Sequence, residues 1–145
     1  IEMGHVFGGQ YIYIVGDLAT LKKSKKNDFD KLEIPEGFMD GVIEAEKIIN
    51  NNKNKKNIVW GGASKGVIFC HYLTQRGFKP DMVIDLNPEK QGKYIPATGI
   101  KINSPEIAYK EMKEGDNVFV MNSNYYEEIR SATNDKYNYT LVDKL

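Results

Sequence analysis

The sequence predicts an α/β three-layer sandwich. A mainly parallel sheet of about five strands lies between helices, with an additional strand and helix on the N-terminal side. Three observations predict this. From Asn57 onward, short apolar runs alternate with segments of helical periodicity, the order that crossover-connected parallel strands require. Gly77 and the triplet Ser104–Pro105–Glu106 mark a helix end and a helix start inside that region. The 145 residues are 41% hydrophobic, enough for one domain with a sizeable core.

Taken in order, residues 10–15 (QYIYIV) are rich in aromatic and β-branched types and read as a strand. Residues 17–35 lose periodicity, and the run KKSKKND from Lys22 to Asp28 reads as a solvated linker. A helix is expected from Pro35 to Asn50, because Phe38, Val42, Ala45 and Ile49 fall on one helical face. Pro35 suits its first turn, and Glu36 complements its dipole. The polar, low-complexity stretch Asn50–Asn57 then ends the helix as a surface loop or hinge and is the best candidate for a domain boundary, with residues 17–35 as a second candidate.

Ile58–Trp60 is a short buried-type strand. Gly66–Arg76 is a helix with Val67, Phe69, Cys70 and Leu73 inside, closed by Gly77. Strands follow at Met82–Asp85 and Ile100–Ile102. Ser104 caps the next helix, without a full capping box because Ile107 stands where an acid or amide is needed. Asn117–Met121 is a strand, Tyr125–Thr133 a helix, and Tyr139–Val142 the last strand. No internal repeat is visible.

Composition narrows the function classes. Basic and acidic residues cancel at 20 each, so broad attraction to nucleic acid or acidic membranes is not expected. The single cysteine, Cys70, excludes a disulfide framework and suits a reducing cytoplasm. With only His5, His71 and Cys70 as soft ligands, no zinc spacing can be assembled. Apolar stretches are too short to span a bilayer, and no signal-peptide pattern is present. A first residue of isoleucine suggests a segment of a longer chain.

The segment IVWGGASKG, Ile58–Gly66, raises the question of a phosphate loop. Gly61, Ala63 and Gly66 take the three positions of the G-x-G-x-x-G fingerprint, with Gly62 between the first two. The Cβ of Ala63 crowds a pyrophosphate, which counts against a full dinucleotide. A Walker loop is excluded, because Val67 and Ile68 stand where lysine and serine are required. Ser64 still offers a hydroxyl at the helix start. Lys65 places a cation at the positive end of the helix dipole, which is unfavourable unless an anion offsets it. Asp85, ending the second strand, is either a ribose-binding acid or a plain cap. A bound ligand and a structural turn both stay open for this loop.

Two further loops leave carboxyl ends of strands, where open sheets bind ligands. Asp85–Gly99 carries Asn87, Lys90, Gln91, Lys93 and Tyr94, and is longer than a connection needs. Met121–Ile129 carries Asn122, Asn124 and Tyr125, although Asn122 or Ser123 alone reads as a cap. Together they outline a hydrogen-bonding cleft suited to a sugar or nucleotide. No catalytic constellation is visible. His71 reads as packed or half-exposed, and Glu127–Glu128 as a solvated surface.

Four strings, in this order, carry a resemblance: VWGGASKGVIF, VIDLNPEKQGKYIPATGIKI, SPE and VFVMNSNYYEEI. From about Asn57 to the end, the chain resembles the C-terminal domain of S-adenosylmethionine-dependent C-methyltransferases, a group that includes sugar C-methyltransferases. FGGQYIYIV, Phe7–Val15, is similar to the closing strand of the methyltransferase core that precedes that domain. Gly61, Lys65 and Gly66 fit the family's loop, whereas Gly62 replaces an alanine and Ala97 stands where a glycine is common.

The resemblance implies a Rossmann-like domain at 57–145, a helix and linker at 35–56, and a remnant or linker of the core at 1–34. It implies an accessory domain that binds the acceptor, a sugar or nucleotide-sugar, beside a preceding methyltransferase domain. S-adenosylmethionine, the catalytic residues and a zinc-binding region would belong to the parent enzyme upstream, leaving this segment inactive alone. Two rival readings are a stand-alone nucleotide-binding or sensing module, and a purely structural assembly domain.

Overall fold

The computed structural model describes residues 2–9, 11–20, 22 and 36–145. The chain forms two compact units, Ile1–Pro35 and Glu36–Leu145.

In the first unit, β1 (Glu2–Val6) and β2 (Tyr11–Val15) form an antiparallel ribbon, with Glu2 opposite Val15 and Val6 opposite Tyr11. The residues of the turn, Phe7, Gly8 and Gly9, all have positive φ. β1 was not anticipated, since EMGHV shows no run of strand-forming residues. Gly4 explains how it pairs: the Tyr13 ring lies where a Cβ would sit, 2.7 Å away. The Tyr13 hydroxyl then donates to Glu2 Oε1 at 2.8 Å. Met3, Ile12 and Ile14 lie on one face, and Val6, Tyr11, Tyr13 and Val15 on the other, all exposed. The remainder of the expected linker, 23–35, lies outside the described residues.

The second unit contains five parallel strands: β3 (Asn57–Trp60), β4 (Met82–Ile84), β5 (Ile102–Asn103), β6 (Asn117–Val120) and β7 (Asn138–Leu141). Their order is β5-β4-β3-β6-β7. The chain steps outward from β3 to β5, then crosses back to build β6 and β7 on the other side. This is the Rossmann order, with its switch point between β3 and β6. Four helices flank the sheet: α1 (Asp40–Asn51), α2 (Ser64–Gln75), α3 (Pro105–Glu111) and α4 (Tyr126–Ala132).

Strand alternation divides the core into two halves. Val59, Val83 and Phe119 pack with Val42 and Ala45 of α1 and with Phe69, Cys70 and Leu73 of α2. Ile58, Trp60, Met82, Ile84, Val118 and Val120 turn the other way, onto Ala108 of α3 and Ile129 of α4. A strand buried on both faces needs no polar alternation, which is why these strands read as continuous apolar runs. Burial pushes the Cys70 thiol up to about 12, so it packs as a neutral side chain.

Both helix signals are realised. Gly77, at φ +90, donates to Thr74 O, and Phe78 N donates to Leu73 O, the paired bonds of a Schellman cap. Ser104 Oγ accepts from Ile107 N at 3.4 Å. Glu106 hydrogen-bonds the Ser104 side chain, which holds its carboxyl below the ordinary range.

Three expectations are corrected. α1 starts at Asp40, because Gly37 at φ +82 closes a turn in which Asp40 N donates to Gly37 O. Phe38 therefore leaves the helical face and stays 48% exposed, its ring edge-on to Tyr72. Pro35 lies outside the described residues. The Asn50–Asn57 stretch lies inside the second unit, tied down by Lys55 Nζ to Glu114 O and Lys56 N to Asp116 Oδ1. The third strand starts later, at Ile102, because Ile95 N bonds Ile100 O and folds residues 95–100 into a reverse turn.

Two glycine-related positions carry testable energies. At Gly66, a Cβ would lie 1.8 Å from the Gly61 carbonyl oxygen, so Gly66→Ala should lower stability by about 3 kcal/mol or more in urea melts. Ala97 sits at φ +62 in that reverse turn, which accounts for the glycine common in the resembling family. Ala97→Gly should raise stability by about 0.5–1 kcal/mol, read as a higher urea midpoint.

Candidate functional site

The carboxyl ends of β3, β4, β6 and β7 meet at one edge, and the loops leaving them bring the candidate residues together. After Trp60 the chain turns at Gly61, φ +115, whose N–H still extends the ladder to Ile84 O at 2.8 Å. Gly62 is buried, Ala63 is the cap residue of α2, and Ser64 and Lys65 are exposed in the first turn. Gly66 follows, pressed onto Gly61.

Asp85 is 8% exposed and its carboxylate is fully engaged. Oδ2 accepts from Gly62 N at 2.8 Å and from Lys90 Nζ at 3.0 Å, while Oδ1 accepts from Asn87 N at 2.9 Å. Gln91 Nε2 donates to Asp85 O at 3.0 Å, and Asn87 Oδ1 accepts from Glu89 N. Gly62, Asp85, Asn87, Lys90 and Gln91 thus meet as an internal network. Of the two roles read for Asp85, the structure displays the cap: it closes the glycine turn and pins the next loop. Lys93 and Tyr94 lie apart from this network, exposed where Tyr94 bridges to Lys101.

A second cluster centres on Asp143, which the sequence reading missed. Ser123 N donates to its two oxygens at 3.2 and 3.1 Å, and Ser123 Oγ lies 3.2 Å from Oδ2. Lys65 Nζ is 3.7 Å from Oδ2. The signal that singled out Asp85, an acid just past the end of a strand, applies equally here. Asn122 Oδ1 accepts from Asn124 N, so it serves as a cap, with Asn124 and Tyr125 exposed beyond it.

Beside this cluster runs a mainly apolar groove of about 240 Å³. Phe38, Ile68, Tyr72, Met121, Val142 and Leu145 line it, and Lys65 and Asp143 form its polar side. Sequence reading had no route to it, because its walls come from segments a hundred residues apart. His71 stacks its edge on Tyr72 and takes no part in either cluster. Among the described residues, no group of three His, Cys, Asp or Glu side chains is placed to hold a metal. The edge offers hydrogen-bonding groups, an ion pair and an apolar wall, which is binding and positioning chemistry.

Comparison with known proteins adds three findings. The model of the family described as C-methyltransferase C-terminal domain matches residues 18–140, reaching further toward the N-terminus than the four strings. A proline–tRNA ligase from Fervidobacterium nodosum is 30% identical over 106 residues, 71% of this chain. The chain spans only 18% of that protein's length. UDP-D-quinovosamine 4-dehydrogenase from Vibrio fischeri aligns at TM-score 0.45 and 21% identity, covering 59% of this chain and 75% of that one.

The Asp85 network has a measurable consequence. Asp85→Ala leaves the Gly62 N–H without its acceptor and Lys90 without its counter-ion, and should cost about 2–3 kcal/mol. Limited proteolysis should then cut within Leu86–Gly99 faster than in the parent chain.

Proposed function

We propose a function from one premise: this chain belongs to the C-methyltransferase C-terminal domain family. On this reading it is the acceptor-side accessory domain of an S-adenosylmethionine-dependent methyltransferase acting on a sugar or nucleotide-sugar. The methyl donor and the residues that transfer the methyl group reside in a preceding methyltransferase domain. The contribution made here is positioning, which acts on rate by holding the acceptor in a reactive geometry.

One observation argues against a dinucleotide at the glycine turn and moves the acceptor off it. In doubly wound sheets, the glycine turn and the acid ending the second strand hold a dinucleotide between them. Here Asp85 itself occupies the Gly62 N–H at 2.8 Å, and Ala63 fills the position a pyrophosphate approaches. The acceptor is assigned instead to the exposed rim of the same edge, with Asn87, Lys93, Tyr94, Asn124 and Tyr125 as contacts. Ser64 and Lys65 supply contacts for a phosphate.

The β1–β2 ribbon supports a preceding domain as partner. Two strands alone are marginal in water, and strands apolar on both faces are those that larger sheets bury. A match confined to 18% of a proline–tRNA ligase fits a module carried within longer chains. A cytoplasmic location, without nucleic-acid or membrane partners, belongs to the same reading. Among the described residues, no helix is long and apolar enough to cross a membrane.

Calorimetry on this chain tests the proposal. A nucleotide-sugar should bind and S-adenosylmethionine should not; donor binding here would overturn the assignment. Tyr94→Ala should weaken the nucleotide-sugar about tenfold, roughly 1.4 kcal/mol, with no change in the urea midpoint. Binding of adenine nucleotides alone would favour the sensing module, and silence across all ligands the structural one.

A further inference from the structure

The two outer edges of the five-stranded sheet are finished differently. At β5, the Lys101 and Asn103 carbonyls accept from Val83 N and Asp85 N, so Ile102 turns its own main-chain groups outward. The preceding loop takes up both: Ile102 N donates to Lys93 O, and Gly92 N to Ile102 O, each at 2.8 Å. That edge is closed by the chain itself. At β7, Asn138 N donates to Asp116 O at 2.9 Å, and the parallel ladder aims Asn138 and Thr140 at β6. The alternate residues, Tyr139 and Leu141, therefore aim their main-chain groups away from the sheet. Among the described residues, β7 pairs with β6 alone. Exposed edges are ordinarily blunted by lysine, proline, a bulge or a covering loop, yet β7 (NYTL) has no charge and no proline.

We propose that a second copy of this chain covers the edge, the two β7 strands running antiparallel about a two-fold axis at Thr140. Self-complementarity selects this occupant. The axis sets Tyr139 opposite Leu141 of the second copy, so the outward groups of one strand meet those of the other. The two Thr140 side chains face each other across the axis, and Tyr139 meets Leu141 on the opposite face, both favourable cross-strand pairs. No charge within either strand opposes a like charge. Tyr139 is also positioned for such a contact. Its hydroxyl is bonded to Thr133 Oγ1, and its ring centre lies 5.8 Å from that of Tyr126 and 6.2 Å from that of Tyr137. All three rings are half-buried, so each copy brings an aromatic cluster to its open edge, the side-chain type that anchors interfaces. The strand is short, so the expected dimer is weak and concentration-dependent.

Analytical ultracentrifugation, with amide hydrogen exchange followed by NMR, tests the pairing. The parent chain should approach twice its 16.5 kDa mass as its concentration rises, and the Tyr139 and Leu141 amides should gain protection in step. Thr140→Lys and Thr140→Glu each set like charges face to face and should weaken the dimer about tenfold. Mixing the two variants should restore it, because the axis then pairs opposite charges. Ile12→Lys, on the exposed ribbon, should change nothing. A monomer at every concentration up to about 1 mM overturns the proposal, as does a dimer without protection of those two amides. So does a dimer that Ile12→Lys abolishes and Thr140→Lys leaves intact. If both Thr140 variants unfold, the exchange pattern of the parent chain decides alone.

Discussion

The close approach of Gly66 to the carbonyl of Gly61 sets the geometry of the whole carboxyl edge. It lets α2 start immediately beside the end of β3, with no side chain between helix and strand. That placement directs the Gly62 N–H sideways toward β4, where Asp85 receives it. It also puts Lys65 at the β3–β6 crevice, within reach of the turn that follows β7. Close packing of this kind transmits position, because a dense core leaves no slack to absorb a shift.

The edge so formed is bonded largely to itself. Asp85 and Asp143 each occupy backbone donors and a lysine ammonium at this edge. One closes the glycine turn after β3, and the other lies on the turn that follows β7. Both halves of the crevice of this doubly wound sheet are thus bonded by carboxylates of the chain itself. The Gly62 N–H, which a dinucleotide would use, is thereby already bonded to Asp85.

Much of the fold was legible because its signals are local. β3, β4 and β6 are short, mainly apolar runs, and Gly77 and Ser104 cap helices through bonds to residues within five positions. β1 was not legible, because its partner strand and the Tyr13 ring over Gly4 supply what EMGHV lacks. The start of α1 was misplaced because a left-handed Gly37 outweighs the helical spacing of Phe38. For the site, Gly62, Asp85, Asn87, Lys90 and Gln91 were read on the loops after β3 and β4, where they meet, while Lys93 and Tyr94 lie apart. Which residues share a hydrogen bond could not be read.

The sequence by itself determined the α/β layering, the order of elements along the chain and the residues gathered at the carboxyl edge. These follow from periodicity and capping, which act within a few residues. Only the tertiary structure decided that Asp85 serves Gly62 and Lys90, that Asp143 collects Ser123 and Lys65, and that an apolar groove runs beside them. The reason is physical: a carboxylate is satisfied by whichever donors the packed sheet brings within about 3 Å, and that choice is made by contacts between distant segments.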